Sequence, residues 1–137
     1  MVWYNISKRK GKGAKMNNRP VIKRWKIRWR GLDGYALRDG SIAYYPYPED
    51  PERNAHTLAH EAAHQVTGEG GHSLEFWAVF DLLCECLGLG ISHPDWAAPW
   101  RSDKEYPDAR AWAEQEKSRI EIWVQAILKE LGNGERK

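Results

Sequence analysis

The chain has 137 residues, a net charge of +2 from 21 Lys and Arg against 19 Asp and Glu, and 2 cysteines. That length holds one domain with one modest core, and two cysteines cannot build a disulfide framework. No apolar run approaches the roughly eighteen residues of a bilayer span, which excludes a transmembrane helix and a membrane partner.

The small net charge conceals a division. Residues 1–30 hold eleven Lys and Arg and no acid, whereas the remainder holds ten against nineteen Asp and Glu. Residues 1–19 read as a flexible basic arm, because the stretch from Ser7 to Arg19 offers almost nothing apolar to bury. Lys8, Arg9, Lys10, Lys12 and Lys15 of this arm are candidates for neutralising the phosphates of DNA or RNA. The opening Met1-Val2-Trp3-Tyr4 lacks the basic-then-apolar order of a secretory signal, so a cytoplasmic protein is expected.

From Val21 to Arg30, Trp25, Ile27 and Trp29 alternate with Arg24, Lys26, Arg28 and Arg30. The period of two predicts a β-strand with an aromatic face on the core and a basic face on solvent. Those four cations extend the candidate nucleic-acid surface, and they equally discourage edge-to-edge aggregation. A strand pair is predicted next, Tyr35 to Leu37 and Ser41 to Tyr45, turning at Asp39-Gly40. Pro46 and Pro48 end it.

The helix that follows carries the chain's most specific signal. Asp50 suits an N-cap, Pro51 the first helical position, and Gly68 the position after the last turn. Ala55, Leu58, Ala59, Ala62 and Val66 recur at helical spacing and give an apolar stripe. Beside it His60-Glu61-Ala62-Ala63-His64 spells H-E-x-x-H. Residues i and i+4 of a helix are stacked neighbours about 6 Å apart at Cβ, so His60 and His64 can present two imidazoles to one metal ion. Glu61 stands beside the first imidazole, where a carboxylate can handle the proton of a water instead of binding the ion.

Gly68, Gly70 and Gly71 allow the chain to turn back sharply, which brings His72 toward the first helix as a third nitrogen ligand. Glu75, Asp81 and Glu69 are the carboxylate alternatives. Three histidines suit zinc and leave a fourth, open position for water, the mark of a catalytic site. Ser73 is a candidate N-cap for a helix through Phe76, Trp77, Phe80, Leu83 and Leu87. Cys84 and Cys86 on that helix point in different directions and read as reduced core thiols. The Pro- and Trp-rich stretch Ser92–Trp100 reads as an ordered loop carrying His93. Pro107 then opens a long helix to about Leu131, with Trp112, Ile120, Trp123, Val124, Ile127, Leu128 and Leu131 as its buried stripe and Gly132 as its end. Residues 20–132 form one domain on this reading, and 133–137 a frayed tail.

Residues 57–80, T-L-A-H-E-A-A-H-Q-V-T-G-E-G-G-H-S-L-E-F-W-A-V-F, resemble the core of the SprT/Spartan-like zinc peptidases. Their pattern is H-E-x-x-H, a variable loop, then a histidine followed by G-x-x-F. Here Ser73 replaces the common glycine and the loop is short. The resemblance covers about thirty residues, and the chain shows no four-cysteine zinc ribbon of the kind many members carry. It implies an α+β fold: a small zincin-like domain with an antiparallel sheet or hairpin packed on the HExxH helix, a second core helix and a long C-terminal helix. It also implies one Zn2+ per chain on His60, His64 and His72, with Glu61 as general base. Small proteins of this kind are similar to ones encoded by phages and mobile elements.

The expected chemistry is hydrolysis of a peptide bond in a protein or peptide substrate by a zinc-activated water, with DNA or RNA as a candidate partner through the basic N-terminal region. Such a substrate would lie extended along a sheet edge beside the zinc. Tyr44, Tyr45, Tyr106 and His93 are the candidate donors to the oxyanion. The alternative is a nucleic-acid-binding accessory protein of phage or mobile-element type, with a structural or vestigial zinc site.

Overall fold

The structure, a computed structural model, describes residues 20–89 and 99–135. The predicted basic arm of residues 1–19, with Lys8, Arg9, Lys10, Lys12 and Lys15, lies outside them, and so does His93. The described chain is mixed α+β. Three short strands, β1 (Ile22–Arg24), β2 (Gly34–Ala36) and β3 (Ile42–Tyr44), precede α1 (Pro51–Thr67) and α2 (Leu74–Leu87). A 3-10 turn at Pro99–Ser102 then leads into α3 (Tyr106–Gln115) and α4 (Lys117–Glu135). No helix among the described residues is long and apolar enough to cross a membrane.

The sheet has the order β1-β3-β2. β2 and β3 form the predicted antiparallel hairpin, closed by Leu37 N–H donating to Ser41 O at 2.8 Å, with Gly40 in the left-handed region at φ 94°. β1, however, runs parallel to β3, so the sheet is mixed where the sequence suggested an antiparallel one. The predicted strand from Val21 to Arg30 is also shorter than its alternation implied. β3 offers a partner only as far as Tyr44, whose carbonyl receives Trp25 N–H at 2.8 Å. Beyond that point the chain bends and reverses through Arg30 (φ 53°) and Gly31 (φ 72°), with Leu32 N–H donating to Trp29 O at 2.9 Å. Two consecutive positive φ angles are the mark of a type I′ turn, whose twist matches that of the flanking strands. With no partner strand among the described residues, Ile27 is 76% and Trp29 43% exposed, so they do not line the core as expected.

α1 is the hub of the fold and touches α2, α4, β2 and β3. Its boundaries follow the sequence signals. The Asp50 side chain accepts from Arg53 N–H, Pro51 opens the first turn, and Gly68 (φ 72°) closes the last with its N–H on His64 O. Small buried residues at Ala55, Ala59, Ala62 and Ala63 let the sheet and α2 close on both flanks of the helix. Buried side-chain amides join helix to sheet. Gln65 Nε2 donates to the carbonyls of Leu37 and Ser41 at 2.9 and 2.8 Å. Asn54 brackets Tyr47, accepting from its N–H at 2.8 Å and donating to its carbonyl at 2.9 Å.

The predicted long C-terminal helix is two helices, broken at Glu116. Its apolar stripe passes from Ala109 and Ala113 to Ile120, Trp123, Val124 and Ile127, all buried. Leu128, placed in that stripe from the sequence, is instead 45% exposed. α4 also passes Gly132 and continues to Glu135. Of the two thiols expected in the core, Cys84 is buried and Cys86 is on the surface, because positions two apart on a helix face different ways.

Candidate metal centre

The Gly-rich reversal after α1 brings the three predicted histidines together. His60, His64 and His72 each offer a ring nitrogen, and these donor atoms all lie within 4.8 Å of one another. The rings form a nearly equilateral triangle, with centroid separations of 5.2 Å for His60–His64 and 5.1 Å for both pairs involving His72. His64 is buried, His60 half-buried and His72 exposed, so the cluster opens toward solvent on the side of His72. Phe76, one turn into α2, lies behind all three rings at 5.1, 4.6 and 4.7 Å from His60, His64 and His72. Trp77 flanks His60 and His72 at 6.1 and 5.3 Å. An apolar backing of this kind restricts the rotamers of the imidazoles and lowers the local dielectric.

His64 Nδ1 lies 3.0 Å from Glu69 O. A carbonyl only accepts, so Nδ1 carries the proton and Nε2 keeps the lone pair that a metal needs. Burial, then the neighbouring imidazoles of His64, His72 and His56, holds His60 down to about 3. Burial likewise brings His64 down to about 4, against the opposing hydrogen bond to Glu69. Both rings are therefore neutral near pH 7 and present lone pairs with no proton to displace.

Glu61 follows His60 directly on α1 and packs against β2, its Cγ 3.1 Å from where a Cβ on Gly34 would stand. It is 5% exposed, and its Oε1 is buried without a hydrogen-bond partner among the described residues. Burial alone pushes its carboxyl up to about 8. A buried carboxylate without hydrogen bonds is costly, and a positive charge or a water beside it would supply what is missing. Three converging nitrogen donors, two of them on the helix that also carries this carboxyl, fit a divalent ion such as zinc.

The rival ligands are accounted for. Asp81 is buried, but its carboxylate already accepts from Trp100 Nε1 (3.1 Å), Arg101 Nε (3.0 Å) and Nη2 (2.7 Å), and Tyr106 Oη (2.6 Å). Glu69 uses its backbone on His64 and its Oε1 on Ser73 Oγ at 2.9 Å. Glu75 is exposed in the first turn of α2 and is not among the converging donors. Of the candidate oxyanion donors, Tyr44 Oη is held by Glu130 at 2.8 Å and Tyr106 Oη by Asp81, so neither is at hand. Tyr45 packs edge-on against Tyr47 at 5.0 Å.

Comparison with known proteins adds nothing to this geometry: no protein-family model, no curated protein and no solved structure matches the chain.

Sequence reasoning missed His56, one helical turn before His60. It is buried edge-on to Phe80 at 5.1 Å and close enough to depress His60. Its spacing of four residues from His60 was the available signal. Of the candidate nucleic-acid residues within the described chain, Arg24 is engaged with Glu130 at 2.5 Å and Arg28 with the Gly31 carbonyl and Asp33. Arg30 lies over the Trp29 ring at 5.1 Å, and Lys26 is exposed.

Proposed function

We propose that the protein is a zinc-dependent metallopeptidase of the SprT/Spartan-like kind, hydrolysing peptide bonds in a protein or peptide substrate. The observation that carries this reading is the convergence of His60, His64 and His72 on the helix that also bears the buried carboxyl of Glu61. Held by His60, His64 and His72, zinc would supply a Lewis acid for the scissile carbonyl, acidify a water and add a positive charge that favours the carboxylate form of Glu61. Glu61 would take a proton from the attacking water on a carboxylate oxygen and return it to the leaving amine. His64, fixed by the Glu69 carbonyl, keeps one donor direction, and Phe76 excludes water from behind the three imidazoles.

The test combines metal content with cleavage of an unstructured protein such as casein. Wild-type protein and Glu61→Gln should each hold one zinc per chain, and the wild type alone should cleave. His60→Ala and His64→Ala should lose both zinc and cleavage. Full activity in Glu61→Gln would overturn the mechanism, and absence of zinc from the wild type would overturn the site.

A second reading, binding of nucleic acid by a basic accessory protein, draws on the reversal that follows β1. Ile27 and Trp29 are exposed there beside Lys26, Arg28 and Arg30, a combination of stacking surface and cations that suits single-stranded nucleic acid. Quenching of tryptophan fluorescence by an oligonucleotide, weakening steeply with salt and lost in Trp29→Ala, would support it. Salt-independent or absent quenching would dismiss it.

A further inference from the structure

The loop between His64 and His72 contains a feature that the ligand set does not require. Two of its residues, Gly70 and Gly71, are exposed, and a Cβ on Gly71 would meet nothing within 4 Å. Adjacent glycines leave the backbone more freedom than any other pair, so His72 would sample many positions relative to His60 and His64 unless something closed the segment. Glu69 closes it twice. Its carbonyl receives the Nδ1 proton of His64 at 3.0 Å, and its Oε1 receives the hydroxyl of Ser73 at 2.9 Å. Ser73 directly follows His72 and also caps α2, accepting from Phe76 N–H at 3.2 Å. A single residue thus joins the ring of one candidate ligand to the backbone neighbour of another across the two glycines.

We propose that Glu69 is a positioning residue of the metal centre, orienting His64 through its carbonyl and holding His72 in range through its carboxylate bridge to Ser73. This rests on His60, His64 and His72 being the ligand set. Groups that orient the ligands of a metal site typically change metal affinity by about 10–100-fold when removed. Glu69 should behave that way even though it is not a ligand. A cap of α2 alone, by contrast, would leave affinity unchanged, because the Ser73–Phe76 bond survives without Glu69.

The experiment measures zinc affinity by competition with a chromophoric chelator, and the visible absorption of the cobalt-substituted protein, for four full-length chains. Glu69→Ala should bind zinc about 10–100-fold more weakly than wild type, with a broadened cobalt spectrum and an unchanged melting temperature of the metal-free protein. Glu69→Gln keeps an acceptor for Ser73 without the charge and should restore both readouts. Ser73→Asp keeps an acceptor for Phe76 N–H but cannot donate to Glu69, so it should weaken zinc binding as Glu69→Ala does. Equal affinity in wild type and Glu69→Ala would overturn the role of Glu69 while leaving the ligand set intact. An equal loss in Glu69→Gln would replace the bridge with simple charge attraction and also overturn it. A wild type that binds no zinc would overturn the ligand set, and this inference with it.

Discussion

A Cβ atom on Gly34 would lie 3.1 Å from Cγ of Glu61 and 2.6 Å from Cγ2 of Thr57, so β2 approaches α1, the helix of His60 and His64, through a residue without a side chain. That approach encloses Glu61 between helix and sheet and produces its burial. Gly34→Ala should force helix and strand apart or push Thr57 off its rotamer, a type of overpacking that costs about 1–3 kcal/mol. The variant should melt several degrees lower than wild type. Thr57→Ser removes the offending methyl group, so Gly34→Ala combined with Thr57→Ser should recover most of the loss in a double-mutant cycle. Additive effects of the two substitutions would show that the contact does not limit the approach.

Much of this arrangement was legible in the sequence because its determinants are local. Asp50, Pro51 and Gly68 delimit α1 by capping chemistry within a few residues, and the glycines after Gly68 foretold the return of His72. The strand order was not legible, since pairing β1 parallel to β3 depends on residues about twenty positions apart. The alternation from Trp25 to Trp29 reads the same whether or not a partner strand exists, and among the described residues β3 offers none beyond Tyr44. The break at Glu116 was hidden because neither Gly nor Pro marks it, and the apolar spacing on its two sides stays in phase.

Asp81 illustrates the same limit. From the sequence it was a possible metal ligand. Its partners Trp100, Arg101 and Tyr106 lie 19, 20 and 25 residues away, beyond any local pattern. In the structure it ties α2 to the 3-10 turn and to α3, and Trp100 in turn stacks on Trp77 with ring centroids 3.9 Å apart. Asp81→Asn should leave the zinc stoichiometry intact. It should nevertheless lower stability by about 1–3 kcal/mol, since donors that met a carboxylate would meet a weaker and partly mismatched amide. Loss of zinc with unchanged stability would return Asp81 to the list of ligands.

The Tyr106–Asp81 bond also predicts an alkaline transition. Burial, followed by the hydrogen bond to Asp81 and its charge, pushes the Tyr106 hydroxyl up from 10.0 to about 12. Between those values the unfolded chain has lost a proton that the folded chain retains, so stability falls as pH rises through that window and is fully present below pH 10. Tyr106→Phe should be less stable than wild type at pH 8, having left Asp81 with one donor fewer. The difference should narrow as pH climbs above 10. A wild-type stability independent of pH between 10 and 12, relative to Tyr106→Phe, would contradict the assignment.

Removing metal should separate the two contributions of His64. Its ring is fully buried and packs against Phe76 at 4.6 Å, so it supports the core as well as offering a donor atom. An ion bound only by the folded state stabilises it by about 4 kcal/mol at a thousandfold excess over its dissociation constant. Chelation of the wild type should therefore lower its melting temperature reversibly, with recovery on adding zinc. His64→Ala should melt below even the chelated wild type, because it also leaves a cavity behind Phe76, and neither chelator nor zinc should move it further. A His64→Ala protein that still gained stability from zinc would show that the ion is held without this ring.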